Sequence, residues 1–267
     1  MSGAAMRAAP ARSAPVISVK DVTVRFGGIV ALDGVSFDIL DGEVLGLIGP
    51  NGAGKTTLFN CLSRLYTPTE GEITMDGQSI LGLPSHRIAG LGIGRTFQNV
   101  AAFANLSVRD NIRVGAHSAS AGDMVTDAFR LGRARREAAE IDRLTNELIG
   151  WLHLGEVADQ PVAGLPFGWQ KRVELARALA TKPKLLLLDE PAGGLNHDEV
   201  SELGRLIRRI RDDRGVTVLL VEHHMSLVMS VSDRVVVMNF GRKIAEGVPA
   251  DVQKNPDVIA AYLGGAS

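Results

Sequence analysis

A single cysteine, Cys61, stands in 267 residues, so no disulfide can form within the chain. That fits a reducing compartment and excludes the disulfide-stapled class of secreted domains. Cys61 is flanked by Leu58, Phe59 and Leu62, the setting of a small buried hydrophobe rather than of a reactive thiol. Aromatic residues are scarce at 4%. No apolar run approaches the roughly 18 residues that a membrane-spanning helix requires, and no secretory hydrophobic segment is present. Charge of one sign is also missing. The net charge is −1 and the pI about 6.6, which removes the basic footprint of a nucleic-acid binder. Arginines do gather at Arg130, Arg133, Arg135 and Arg136, and again from Arg205 to Arg214, where Asp212 and Asp213 interleave. Both groups read as solvated helix faces.

Hydrophobic residues make up 45% of the chain, enough for one large α/β domain with an inserted subdomain. Residues 1–15 are rich in Ala, Pro and Arg and read as a disordered tail. Short continuous apolar runs occur at Val44–Ile48, Leu185–Leu188, Val216–Val221 and Arg234–Met238. Apolarity without alternation, at that length, predicts strands buried on both faces of a largely parallel sheet. Helical patterns lie between them. From Asp198 to Asp213 the residues Val200, Leu203, Leu206, Ile207 and Ile210 form one apolar stripe, opened by Asn196 and Glu199 as a cap and closed by Gly215. Residues 16–40 and 72–81 read as shorter strands with hairpin turns, such as Met75-Asp76-Gly77-Gln78, and predict an antiparallel layer beside the parallel core. Strand-like runs vanish over 101–162, where Ser107 and Asp110 suggest a helix start and Met124–Leu154 is helical in composition. The expected organisation is an α/β core from 16–100 and 163–267, interrupted by a helical subdomain over 101–162.

Two motifs carry chemistry. Gly49-Pro50-Asn51-Gly52-Ala53-Gly54-Lys55-Thr56 matches the G-x-x-x-x-G-K-[ST] phosphate loop. It follows a predicted strand and opens a predicted helix, Lys55–Arg64, which is the context the motif needs. The glycines let successive backbone N–H groups converge on one concavity, and the helix N-terminus adds partial positive charge. Lys55 is placed to reach the β- and γ-phosphates, and Thr56 to ligate Mg²⁺. The second motif is a buried strand, Leu185–Leu188, ending in two adjacent acids. Asp189 reads as the Mg²⁺ ligand and Glu190 as the general base for the attacking water.

With those motifs in order, the chain resembles an ABC-type nucleotide-binding domain over nearly everything beyond residue 15. That resemblance implies a P-loop NTPase α/β fold: a RecA-like parallel sheet core, an antiparallel β layer and an inserted helical subdomain. It implies further roles, residue by residue. Gln98, in Arg95-Thr96-Phe97-Gln98-Asn99, resembles the glutamine that contacts the metal and the attacking water. Leu165-Pro166-Phe167-Gly168-Trp169-Gln170 resembles the signature segment that caps the γ-phosphate held by another subunit. Pro166 and Phe167 replace the usual Ser and Gly, which removes a hydroxyl and an N–H and shifts the contact to Gly168 and Gln170. Asn196, in Gly194-Leu195-Asn196, stands where the family has an aspartate, and His223, ahead of His224, resembles the switch histidine at the γ-phosphate. Phe26 falls where the family stacks an aromatic on adenine; from its sequence context alone a buried core phenylalanine remains open. The nucleotide-binding set is then Phe26, Gly49, Pro50, Asn51, Gly52, Ala53, Gly54, Lys55, Thr56, Thr57, Gly168 and Gln170. The catalytic set is Lys55, Gln98, Glu190 and His223, and the metal set Thr56, Gln98 and Asp189.

A narrower resemblance is carried by Arg25-Phe26-Gly27-Gly28, Thr57-Leu58-Phe59-Asn60-Cys61, Gly94-Arg95-Thr96-Phe97-Gln98, Leu165-Pro166-Phe167-Gly168, Ala192-Gly193-Gly194-Leu195-Asn196 and the tail Asn255–Ile259 with Ala261–Gly264. These look like the ATP-binding subunit, LivG type, of branched-chain amino acid importers. The resemblance implies ATP and Mg²⁺ as cofactors, a second ATPase subunit in a head-to-tail dimer, transmembrane permease subunits, a solute-binding protein acting indirectly, and residence at the cytoplasmic face of the inner membrane. Importers or exporters of urea, sulfonates, aromatic amino acids or lipopolysaccharide share the catalytic motifs, as do ABC ATPases outside transport. The latter usually carry two cassettes or a long coiled coil, and neither is visible here.

Overall fold

The structure, a computed structural model, describes residues 14–96, 103–120 and 131–263. The N-terminal segment up to residue 13, Gln98 and residues 121–130 of the predicted helical stretch lie outside the described residues.

The continuous apolar runs form the centre of the molecule. Strands β3 (Val44–Ile48), β7 (Leu185–Asp189), β8 (Thr217–Val221) and β9 (Arg234–Asn239) run parallel to one another with the short β6 (Ile93–Arg95), and β10 (Arg242–Gly247) closes one edge antiparallel. The order is β10-β9-β3-β8-β7-β6. Side chains alternate between two cores, and both are dry. Val44, Ile48, Leu186, Leu188, Val218, Leu220, Val235 and Val237 face one apolar cluster; Leu45, Leu47, Leu185, Leu187, Leu219, Val221, Val236 and Met238 face the other. A strand covered on both faces has no polar side to show, hence the unbroken runs.

The first cluster is filled by helices: α2 (Val108–Ser120), α3 (Leu131–Trp151), α4 (Phe167–Ala180), α5 (His197–Arg214) and α6 (Met225–Val231). The second is filled by α1 (Lys55–Leu62) and by an antiparallel sheet of order β2-β1-β4-β5, made of β1 (Pro15–Phe26), β2 (Ile29–Leu40), β4 (Glu70–Met75) and β5 (Gln78–Ser79). Helices α7 (Pro249–Val252) and α8 (Pro256–Leu263) finish the described chain.

Two expectations change. The 16–40 stretch is two twelve-residue strands, not several shorter ones, and β1 opens at Pro15, paired with Leu40, inside the segment read as tail. Irregularities interrupt these long strands without ending them. Asp21 takes φ 47° and Gly34 φ 63°, where the β1–β2 register shifts. Asp21 is held there by its N–H to Ser36 Oγ (2.7 Å) and by the Ser36 hydroxyl donating to its carboxylate (2.9 Å). Such bulges bend a strand without ending it. The α5 expectation matches closely: Asn196 and Glu199 form a reciprocal capping box, and Gly215 ends the helix at φ 63°. Cys61 is buried, and burial pushes its thiol up to about 12, which leaves it inert. From α5, Arg208, Arg209, Arg211 and Arg214 reach the Ser230 carbonyl, Asp213, Asp233 and Glu147, so this face is a ladder of local polar pairs.

Candidate functional site

The carboxyl ends of β3, β7 and β8 share one edge of the sheet, where an α/β fold builds its sites. The chain leaves β3 through Gly49 (φ 155°) and enters α1 through Gly52 (φ 79°) and Gly54 (φ 97°). Two of these turns permit no side chain. A Cβ on Gly49 would stand 2.2 Å from the Met238 carbonyl oxygen, and one on Gly54 2.7 Å from that of Ala31. The loop is braced from β9 and β2, and Gly241 N–H donates to the Ala53 carbonyl (3.0 Å). No side chain caps α1, so its first N–H groups are left for an anion. Lys55 is 6% exposed; its ammonium donates to the carbonyls of Gly49 (2.7 Å) and Pro50 (3.0 Å). Burial lowers its pKa, against the pull of the Glu190 and Asp189 carboxylates. The ammonium is therefore largely removed from solvent and held over the loop.

Asp189 ends β7 and is 3% exposed. Burial raises its carboxyl above the usual range, opposed first by the Arg95 guanidinium, 3.8 Å away. Arg95, on β6, also reaches Asn60 Oδ1 (3.0 Å) and lies 4.6 Å over the Phe59 ring, tying Asp189 to α1. Glu190 follows in the left-handed region at φ 47°, its N–H donating to the Val221 carbonyl (2.8 Å). A non-glycine residue holds that conformation at a cost of order 1–3 kcal/mol only where its surroundings fix it. Its carboxylate meets His223 Nε2 at 2.9 Å, while His224 turns its Nδ1 to Glu222 at 3.3 Å. The two adjacent histidines thus separate, and His223 faces the base candidate.

The remaining candidates lie apart from this cluster or at its rim. Phe26 is 46% exposed at the end of β1 and meets Tyr66 edge-on at 5.3 Å, which excludes the buried-core alternative. Thr56 is exposed and Thr57 half-buried at the start of α1. Helix α4 opens at Phe167 after Pro166, and Gln170 Nε2 donates back to the Leu165 carbonyl (2.8 Å). Phe167 packs on the Gly194 turn, where a Cβ would meet its ring at 3.0 Å. Beside α4 lies a groove of about 430 Å³, lined by Trp151, Gly168, Trp169, Leu206 and Arg209, which shares Gly168 and Trp169 with the signature segment and includes no phosphate-loop residue. Sequence reasoning passed over Arg95 and Glu222, whose only signal is a charged residue at the end of a buried strand. The tail residue Tyr262 is another: 38% exposed, it has its hydroxyl pushed up to about 12 by partial burial, against a lowering influence of the Gly49 backbone.

Comparison with known proteins decides the family. The ABC transporter family model matches residues 32–193, and the model of the branched-chain amino acid ATP-binding cassette transporter C-terminus matches 242–267. The chain belongs to the ABC transporter ATP-binding family. It is 44% identical over 254 residues to the high-affinity branched-chain amino acid transport ATP-binding protein BraF of Pseudomonas aeruginosa, covering 95% of this chain and 100% of that one. It is also 44% identical over 259 residues to LivG of Escherichia coli K12, with the same coverage. An ABC transporter cassette solved in its ADP conformation superposes with TM-score 0.80 at 27% identity, over 94% of this chain and 100% of that one. A dimeric cassette in a post-hydrolysis state with ADP and phosphate superposes with TM-score 0.72 at 26% identity, over 87% and 98%. The cassette is thus an ATP-binding, ATP-hydrolysing subunit of a transporter. Among its described residues no helix is long and apolar enough to cross a membrane.

Proposed function

We propose that this cassette powers uptake of branched-chain amino acids (leucine, isoleucine and valine) through permease subunits, as the peripheral ATPase at the cytoplasmic face of the inner membrane. The observation that supports the chemistry is the pair Glu190–His223 at 2.9 Å, beside Asp189 and the buried Lys55 of the phosphate loop. The solute rests on the near-full-length identity to BraF and LivG and on the C-terminal family match. Urea, sulfonates, aromatic amino acids and lipopolysaccharide are the solutes that a negative uptake result would bring forward.

Each residue has one task. The loop from Gly49 to Thr57 receives the phosphates on backbone N–H groups, and Lys55 neutralises the terminal phosphate charge. Phe26 offers its exposed ring to the adenine. Glu190 accepts a proton from the water that attacks the γ-phosphorus, and His223, on its carboxylate, fixes the direction of that acceptor. Thr56 and Asp189 supply one hydroxyl and one carboxylate. That hard-oxygen pair suits Mg²⁺, which takes few protein ligands and completes its shell with water and phosphate. A bound Mg²⁺ would supply positive charge to the phosphates. Gln98 is assigned to the same metal and water. Gly168 and Gln170, at the N-terminus of α4, face the γ-phosphate of a second cassette, self or paralogue, in a head-to-tail dimer. ATP closes that dimer, hydrolysis reopens it, and the motion drives alternating access in the permease.

The test is uptake of labelled leucine, isoleucine and valine at low external concentration, in source cells with and without the gene. Uptake should be lost on deletion and restored by the wild type but not by Lys55→Ala. Uptake unchanged by deletion would overturn the solute assignment.

A further inference from the structure

Glu222 is the most completely buried carboxylate next to the site, at 1% exposure, and none of the assignments above gives it a task. It follows the last residue of β8, between Val221 and His223. Its two oxygens face different segments. Oε1 accepts the Ala192 N–H at 2.7 Å, two residues beyond Glu190. Oε2 accepts the N–H groups of His223 (2.8 Å) and His224 (3.1 Å) and meets His224 Nδ1 at 3.3 Å. The only side chain among these partners is the His224 ring; the other three are backbone donors that cannot rotate away. A buried carboxylate takes such donors at short distance and with fixed direction.

We propose that Glu222 is a positioning residue for hydrolysis: one carboxylate clamps the chain that carries Glu190 to the chain that carries His223, and so sets their 2.9 Å contact. This rests on the ATPase reading of Glu190. The Glu190 backbone is pinned before its Cα, where its N–H meets the Val221 carbonyl, and past it, where Glu222 holds Ala192. That double attachment accounts for a glutamate kept at φ 47°. His223 is held by the same carboxylate one residue away, so neither partner can shift without the other. A glutamine cannot replace it. The pocket offers donors on both arms, and the amide NH₂ would set donor against donor on one of them.

The experiment is a double-mutant cycle on the purified full chain, measuring phosphate release at saturating Mg-ATP, affinity for a non-hydrolysable ATP analogue, and Tm. Wild type against Glu190→Gln first establishes that the hydrolysis belongs to this site; failure there removes the ATPase reading itself. Glu222→Gln should then lower kcat about 30-fold, with analogue affinity within about twofold, because Lys55 and the loop are untouched. In a His223→Ala background the same change should cost under about threefold, since the partner it positions is already gone. Equal losses in both backgrounds would overturn the proposal, as would unchanged kcat or a loss of affinity that matches the loss of rate. If Glu222→Gln is recovered unfolded, Glu222→Asp takes its place in the cycle. It keeps the charge but is one methylene too short to reach both arms, and the same outcomes decide.

Discussion

Helices α1 and α4 both begin without a side-chain cap, and they are built in opposite ways. The start of α1 is walled in. Its glycines take conformations that exclude a side chain, and its lysine is buried on the loop's own carbonyls. The start of α4 is open. Pro166 sets the turn, Phe167 is 43% exposed on the Gly194 turn, and Gln170 is oriented by one N–H on the Leu165 carbonyl. A site finished within one chain can be rigid; a site that presents half its surface awaits a second body. The difference between the two ends fits the proposal that ATP binds to one cassette and is hydrolysed between two.

The largest expected effect breaks the closed end. Lys55→Ala should lower hydrolysis by about 10³-fold and weaken ATP binding by the isolated chain, measured by phosphate release and by titration of a fluorescent nucleotide. At the open end, Gln170→Ala frees the Leu165 carbonyl and loosens the α4 start. It should slow hydrolysis about tenfold while leaving nucleotide binding by the isolated chain unchanged; parallel losses of both would erase the contrast. Phe26→Ala should raise the KM for ATP about fivefold with kcat unchanged, the size of about 1 kcal/mol of stacking.

The smallest effect is on stability and reverses the usual direction. Burial raises the Asp189 carboxyl above its ordinary value by more than Arg95 lowers it. The folded chain therefore holds that proton more tightly than the unfolded one. Its contribution to stability is full below the ordinary carboxylate value and is lost as pH rises through the raised one. Asp189→Asn, which mimics the neutral form, should raise Tm slightly at pH 7, with the gain vanishing in acid, while hydrolysis is lost. Calorimetry across pH checks the sign, and a lower Tm at pH 7 would show that Arg95 outweighs burial.

What the sequence discloses follows from where each signal lives. The phosphate loop is local: three glycines, one lysine and one threonine within eight residues state the backbone geometry they need. The parallel sheet is legible because strands dry on both faces cannot alternate. The α5 ends are legible because Asn196, Glu199 and Gly215 each act on their own turn. The long β1 and β2 are not. Asp21 and Gly34 carry the residue types of a turn, and only the cross-strand contacts of Asp21 with Ser36 and of the Gly34 N–H with the Thr23 hydroxyl show them to be bulges. Glu222 is hidden for a related reason. An acid after a strand ordinarily points to water, and this one is held inside in part by a backbone donor 30 residues away at Ala192. Arg95 escapes likewise, its partners being Asn60 on α1 and Asp189 on β7.

The most direct test of the account is ATP turnover by Glu190→Gln beside the wild-type cassette at matched high protein concentration. The account predicts that the variant binds ATP as tightly as the wild type and associates on binding it, while phosphate release falls by about 10²–10⁴-fold, the usual worth of a general base. A Glu190→Gln cassette that hydrolyses ATP at the wild-type rate would remove the base from this site and contradict it.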